Sequence, residues 1–171
     1  LTGADYALLR PEFSNYRSYS LKRREVPQLK RLLITLGGVD QFNVASILLD
    51  ALKVSPLPND CHITVVMGAI APWLEKVKKK ALNMHWKTDV VVNVKEMAKL
   101  MAESDLAIGA AGSTAWERCC LGLPSLTIVL AENQRKIAEV LEELGATIVL
   151  DTPLSSKFVV EFKQVITNLI T

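Results

Sequence analysis

Histidine is nearly absent from this chain of 171 residues: His62 and His85 are the only two. No Ser/His/Asp or Cys/His arrangement emerges around them, and no carboxylate pair stands where a general acid and base would be needed. Cysteine is also sparse. Cys61, Cys119 and Cys120 make an odd number, and two of them are neighbours in an apolar run. With no Cys-x-x-Cys or Cys/His spacing, they read as buried free thiols in a reducing compartment rather than as metal ligands. An excess of charge of one sign is missing too. Lysine plus arginine is 20 against 18 for aspartate plus glutamate, a net charge of +2. That footprint is too small for a nucleic-acid partner, although local dipoles and one or two arginines suffice for a small anion. No apolar run approaches the roughly 18 residues needed to span a membrane. The opening LTGADYALLRPEF lacks the basic-then-apolar pattern of a signal peptide. A cytoplasmic protein is therefore expected, with neither membrane nor nucleic acid as its partner. The first residue is Leu rather than Met, which reads as a piece cut from something longer.

What the chain does have is apolar matter. Half its residues are hydrophobic, enough for the core of one domain and too many for disorder. From Lys30 onward, short β-branched runs alternate with longer amphipathic ones. Strands are predicted at 31–36, 62–67, 88–92, 105–109, 125–129 and 147–150. They are rich in Val and Ile and do not alternate cleanly, as strands buried on both faces read. Helices are predicted at 43–53, 72–83, 95–104, 114–121, 133–144 and 155–170. The first should place Val44, Ile47, Leu48 and Leu52 on one face, and the second opens with Pro72, welcome in a first helical turn. This order predicts an α/β fold: a Rossmann-like, doubly wound, parallel six-stranded sheet covered by helices on both sides. Residues 1–29, with three tyrosines and a basic stretch at Lys22–Arg24, read as a connecting segment, leaving 30–171 as the domain.

In the usual six-stranded order the first and fourth strands are neighbours, and ligands sit where their carboxyl ends diverge. Here the first ends in Gly37-Gly38-Val39-Asp40 and the fourth in Gly109-Ala110-Ala111-Gly112-Ser113-Thr114. Both turns lead into helices, where glycine lets the backbone approach closely and free N–H groups can face an anion. Together they read as a phosphate-binding arrangement built from two loops; either alone could be an ordinary strand-to-helix turn. Neither is a G-x-G-x-x-G or a G-x-x-x-x-G-K-[ST], so no dinucleotide or P-loop site is indicated. Glu117 carries two readings. Thr114-Ala115-Trp116-Glu117 fits a capping box. Alternatively, the carboxylate faces the crevice one turn into the helix and accepts both hydroxyls of a ribose, as acidic residues do in nucleotide-binding folds.

The block from Ala107 to Pro124, with Asn93-Val94-Lys95-Glu96-Met97-Ala98 before it and Leu130-Ala131-Glu132-Asn133-Gln134 after it, resembles the UDP-sugar hydrolases of pseudaminic acid biosynthesis. Tyr6-Ala7-Leu8-Leu9-Arg10-Pro11-Glu12-Phe13 and the Gly37–Asp40 turn resemble them as well. More distantly, the pattern is similar to the donor-binding domain of the GT-B glycosyltransferase that adds N-acetylglucosamine to lipid I. The hydrolase resemblance implies the C-terminal, UDP-binding lobe of a GT-B-type fold. The whole enzyme would release UDP from UDP-2,4-diacetamido-2,4,6-trideoxy-β-L-altrose by attack of water at the sugar carbon, without metal or cofactor. The base is expected on a glycine–histidine loop of an N-terminal lobe, which this chain does not contain, so no catalytic residue is assigned here. Gly112, Ser113 and Thr114 are implied to meet the diphosphate and Glu117 the ribose. Val94, through its backbone, and Met97 would meet the uracil. Gly37, Gly38 and Asp40 would line the crevice. Asn133 and Gln134 would face the sugar or phosphate, and Arg10 would reach the diphosphate from the hinge. The rival readings are the donor lobe of a GT-B glycosyltransferase and a non-catalytic nucleotide-binding module.

Overall fold

The computed structural model describes residues 8–150, 152, 153, 155 and 157–170. Tyr6 and Ala7, named in the resemblance above, lie outside them. Six parallel strands form one sheet: β1 (Arg31–Thr35), β2 (His62–Met67), β3 (Lys87–Val92), β4 (Leu106–Ala110), β5 (Ser125–Ile128) and β6 (Ile148–Leu150). Their order is β3-β2-β1-β4-β5-β6, the doubly wound order in which the direction of winding reverses between β1 and β4. All six predicted strands are present to within a residue or so at each end.

Burial on both faces follows from the composition of the strands. Leu32 and Ile34 of β1 join one apolar cluster, with α2 (Val44–Lys53), α3 (Leu74–Ala81) and α7 (Phe158–Ile170). Leu33, between them, points into a second cluster with α1 (Pro11–Arg23) and α4 (Met97–Glu103). Successive strand residues point to opposite faces, so a strand covered on both sides must be apolar throughout. The buried stripe of α2 is Val44, Ala45, Leu48, Leu49 and Leu52. It is turned slightly from the predicted face, so that Leu49 takes the place expected for Ile47. The helix expected from Pro72 begins at Leu74, because the Leu74 N–H turns back to the Ala71 carbonyl.

The segment before β1 differs most from expectation. Residues 11–23 do not run as a bare connection: they form α1, which packs on the domain. Pro11 sits in the first turn, Glu12 follows it, and Lys22 and Arg23 close the helix, in keeping with the helix dipole. Phe13 is fully buried, worth roughly 1.5–3 kcal/mol by the area it removes from water. The Ser20 hydroxyl donates to the Leu121 carbonyl at 2.7 Å, and Arg17 donates to the Cys120 carbonyl. The basic stretch is also structural. Arg23 pairs with the buried Asp105 at 2.6 Å, and Arg24 donates to the Met101 and Ser104 carbonyls at the end of α4.

Candidate functional site

In an all-parallel sheet every strand ends at the same edge. That edge therefore collects the turns after β1 (Gly37–Asp40), β3 (Asn93–Glu96), β4 (Ala111–Ser113) and β5 (Val129–Ala131). The turns after β1 and β4 flank the reversal point. β3 lies three strands from β4, about 14 Å away at the usual strand spacing. The candidate residues Gly37, Gly38, Asp40, Val94, Gly112, Ser113 and Thr114 all fall on this edge, as do Asn133 and Gln134, in the first turn of α6 (Glu132–Glu143).

The β1 turn is built tightly from within. Gly37 has φ 90°, the left-handed region that glycine enters without strain. Asp40 is buried, and its two carboxylate oxygens accept the Val44 and Ala45 N–H groups at 2.8 and 2.9 Å. The side chain thus caps α2 and faces inward, which makes it a brace of the crevice wall. Burial raises its pKa, against the pull of those two amides. Beneath the turn, the Gly68 N–H donates to the Gly38 carbonyl at 3.1 Å. A Cβ at Gly68 would collide with that carbonyl oxygen, whereas one at Gly37 or Gly38 would meet nothing within 4 Å. Gly68 was not singled out from sequence, since a lone glycine after a strand carries no local signal.

The β4 turn leads into α5 (Thr114–Cys120). The Gly112 and Ser113 carbonyls accept from Ala115 and Trp116, while the N–H groups of Gly112, Ser113 and Thr114 find no backbone partner among the described residues. Such amides are the usual orphans of a helix start. A Cβ at Gly112 would meet nothing within 4 Å, so the space before these amides is open. The capping box does not form: no side chain caps α5. Glu117 instead accepts from Arg10 Nη2 at 3.5 Å, a contact spanning 107 positions of sequence. Arg10 also pairs with Glu12 at 2.9 Å and stacks over Phe13. The Glu117 side chain is only 14% exposed, and burial raises its pKa although Arg10 pulls the other way.

Beneath this turn lies Arg118, which sequence reading passed over. Its side chain is 1% exposed and runs back along α5 toward the helix start, as helical side chains do. Nη2 donates to the Ala110 carbonyl at 3.1 Å and to Thr127 Oγ1 at 3.4 Å; Nη1 donates to Thr114 Oγ1 at 3.4 Å. Nε has no partner. A Cβ at Gly109 would overlap the guanidinium, so glycine there makes room for arginine. Burial pushes the pKa of Arg118 down to about 10, and the group stays a cation at neutral pH.

The remaining candidates differ in exposure. Met97 packs on the α1–α4 cluster, and Val94 is half-buried. Gln134 Oε1 accepts the Leu130 N–H at 3.1 Å, locking the β5 turn, and Asn133 is exposed. His62 starts β2 at the opposite edge and bonds Asp89 at 2.7 Å. Cavities of about 270 Å³, against Arg23, Pro27 and Asp105, and about 400 Å³, against Trp116, Cys119 and Leu141, include none of the glycine turns. Beside the β1 and β4 turns there is open space, since a Cβ at Gly37, Gly38 or Gly112 would meet nothing within 4 Å.

Residues 32–162 match the glycosyltransferase family 28 C-terminal domain. The chain belongs to that family. Among relatives of this family 28 domain, the spore coat polysaccharide biosynthesis protein SpsG of Bacillus subtilis (strain 168) is 30% identical over 147 residues, 85% of this chain and 42% of that protein. The UDP-N-acetylglucosamine--N-acetylmuramyl-(pentapeptide) pyrophosphoryl-undecaprenol N-acetylglucosamine transferase of Dichelobacter nodosus (strain VCS1703A) is 32% identical over 126 residues, 70% of this chain and 34% of that protein. The chain thus spans less than half the length of either. The crystal structure of Acinetobacter baumannii MurG superposes with a TM-score of 0.74 at 19% identity, over 93% of this chain and 46% of that one. Such likeness establishes the fold: this is the Rossmann-like architecture of GT-B C-terminal domains. No helix among the described residues is long and apolar enough to cross a membrane.

Proposed function

We propose that this chain is the UDP-binding lobe of a two-lobed nucleotide-sugar enzyme. One observation carries the reading: two open glycine turns flank the β1–β4 reversal, with free amides on the β4 side and the Arg118 cation behind them. Diphosphate would meet the Gly112–Thr114 amides, and Glu117 would accept the ribose hydroxyls once Arg10 turns from it to the phosphates. Val94 and Met97 would receive the uracil, Gly37 and Gly38 would line the opposing wall with Asp40 bracing it, and Asn133 and Gln134 would face the sugar or phosphate. A second, N-terminal lobe would close over these turns and supply the general base.

The reaction we favour is hydrolysis of a UDP-linked 2,4-diacetamido-2,4,6-trideoxy sugar. Water attacks the anomeric carbon as the bond to UDP breaks; UDP leaves with the electron pair, and the water proton passes to the base on the other lobe. Support comes from the resemblance of the Ala107–Pro124 block and from a relative named for polysaccharide biosynthesis. The second reading is the donor lobe of a glycosyltransferase. It is favoured by the family itself and by the relative named as an N-acetylglucosamine transferase, and it differs only in what attacks the sugar. UDP titration into this chain by calorimetry tests the binding; absence of binding refutes both readings. UDP release by the complete natural protein, with water alone or with added sugar acceptors, then decides between them. Turnover by this chain alone would refute the assignment of the base to another lobe.

A further inference from the structure

Among the described residues Arg118 is a buried cation with no ion pair; the neighbouring Glu117 carboxylate acts on it through space only. No carboxylate lies within ion-pair distance of it among the described residues, and its guanidinium is held by one carbonyl and two hydroxyls, with Nε left over. Removing a charge from water without a paired counter-charge is costly, and the three bonds that Arg118 makes are all to neutral groups. α5 is also short, seven residues, so its own dipole is modest.

We propose that Arg118 is a positioning residue whose charge is answered, beyond the field of the neighbouring Glu117, by the bound ligand's diphosphate at the β4 turn. It acts in two ways, neither requiring contact with the ligand. Its positive field extends through the few atoms of the turn, in surroundings that screen charge poorly. And because Nη1 donates to Thr114 Oγ1, the Thr114 hydroxyl accepts from inside and its own proton is free to donate outward. The Nη2 bond to the Ala110 carbonyl holds the start of the turn in the same register. Glycine at position 109 and threonine at 127 on β5 are the accommodation for this group. The inference rests on the reading of the β1–β4 edge as a diphosphate site, and it adds the residue that makes that edge electropositive from beneath.

The test uses this chain with inorganic pyrophosphate, UDP and uridine as probes, in calorimetric titrations and thermal melts. Pyrophosphate should raise the melting temperature of the wild type. Arg118→Met should weaken pyrophosphate and UDP at least about tenfold, the scale of losing one charge-assisted interaction, while uridine binding stays within about twofold. Thr127→Asp leaves the arginine in place but gives it an internal carboxylate; it should weaken pyrophosphate similarly, and it decides the matter should Arg118→Met fail to fold. A merely structural arginine would lower stability and affect uridine and pyrophosphate alike, which would overturn the proposal. So would a folded Arg118→Met or Thr127→Asp variant that binds pyrophosphate normally, or a wild type that ignores pyrophosphate. If pyrophosphate binding depends on Arg118 but UDP binds no better than pyrophosphate, the inference stands and the nucleotide reading falls. If UDP binds well and Arg118→Met changes nothing, the reverse holds.

Discussion

Replacing Gly112 by valine separates the fold from the ligand. Gly112 is not in the left-handed region, and a Cβ built on it meets nothing within 4 Å. Its carbonyl bond to the Ala115 N–H does not involve the side chain. The protein should therefore tolerate the change as it tolerates most exposed substitutions, within about 0.5 kcal/mol, or about 2 °C in melting temperature for a domain of this size. A ligand phosphate would not tolerate it. The branched side chain would occupy the space before the amides of Gly112, Ser113 and Thr114. Displacing an anion from two of them forfeits two charge-assisted hydrogen bonds, at least about 3 kcal/mol, or roughly 150-fold in affinity. Uridine, which has no phosphate, should lose little. The assay is a pair of titrations, UDP and uridine, on wild type and variant, with a melt as folding control. A folded variant that binds UDP normally would show that the phosphate lies elsewhere. A variant that melts far below the wild type would show instead that the open space at Gly112 is misjudged.

Three further outcomes are expected. Gly68→Ala should lower both melting temperature and UDP affinity, because the new Cβ must displace the Gly38 carbonyl; an unchanged melt would mean that the β1 turn is not supported from β2. Asp40→Ala should cost about 1 kcal/mol of stability through the lost cap of α2, with a smaller loss of UDP affinity than Gly112→Val, whereas a larger affinity loss would point to direct contact with the ligand. Glu117, whose pKa is raised by burial, gives a pH dependence of definite sign. The folded domain holds this proton more tightly than the unfolded chain, so ionising it costs stability as pH rises past the ordinary glutamate value, with the cost complete above the raised one. A ribose needs the ionised carboxylate, so UDP affinity should grow across that same window. Comparison with Glu117→Gln cancels the ligand phosphate's own titration; identical profiles for the two proteins would remove Glu117 from the ribose.

The six strands were legible as short Val- and Ile-rich runs between amphipathic ones: β4 and β5 are buried along their whole length and β1 after its first residue, while β2 buries every second residue. The edge where ligand would bind was legible for the same reason, since the order of strands and helices determines which turns meet. What escaped was settled by contacts across long stretches of sequence. Helix α1 buries only Phe13 and Ser20, too little for a periodic signal. It is held by the bond from Ser20 to Leu121, 101 residues away, and by the pairing of Arg23 with Asp105, 82 residues away. Thr114 and Glu117 satisfy the local rule for a capping box, but Arg10 at the other end of the chain takes the carboxylate.

Glycine shows the limit most clearly. Gly37, Gly38, Gly68, Gly109 and Gly112 look alike in sequence, each near the end of a strand. Three of them face open space, where the missing side chain leaves room for something from outside. The other two face the protein itself, Gly68 the Gly38 carbonyl and Gly109 the guanidinium of Arg118. The first kind argues for a ligand and the second for a neighbour. Only the positions of β2 and α5 relative to β1 and β4 tell them apart. Gly109, read from sequence as part of a phosphate turn, faces inward instead and makes room for the Arg118 guanidinium beneath that turn.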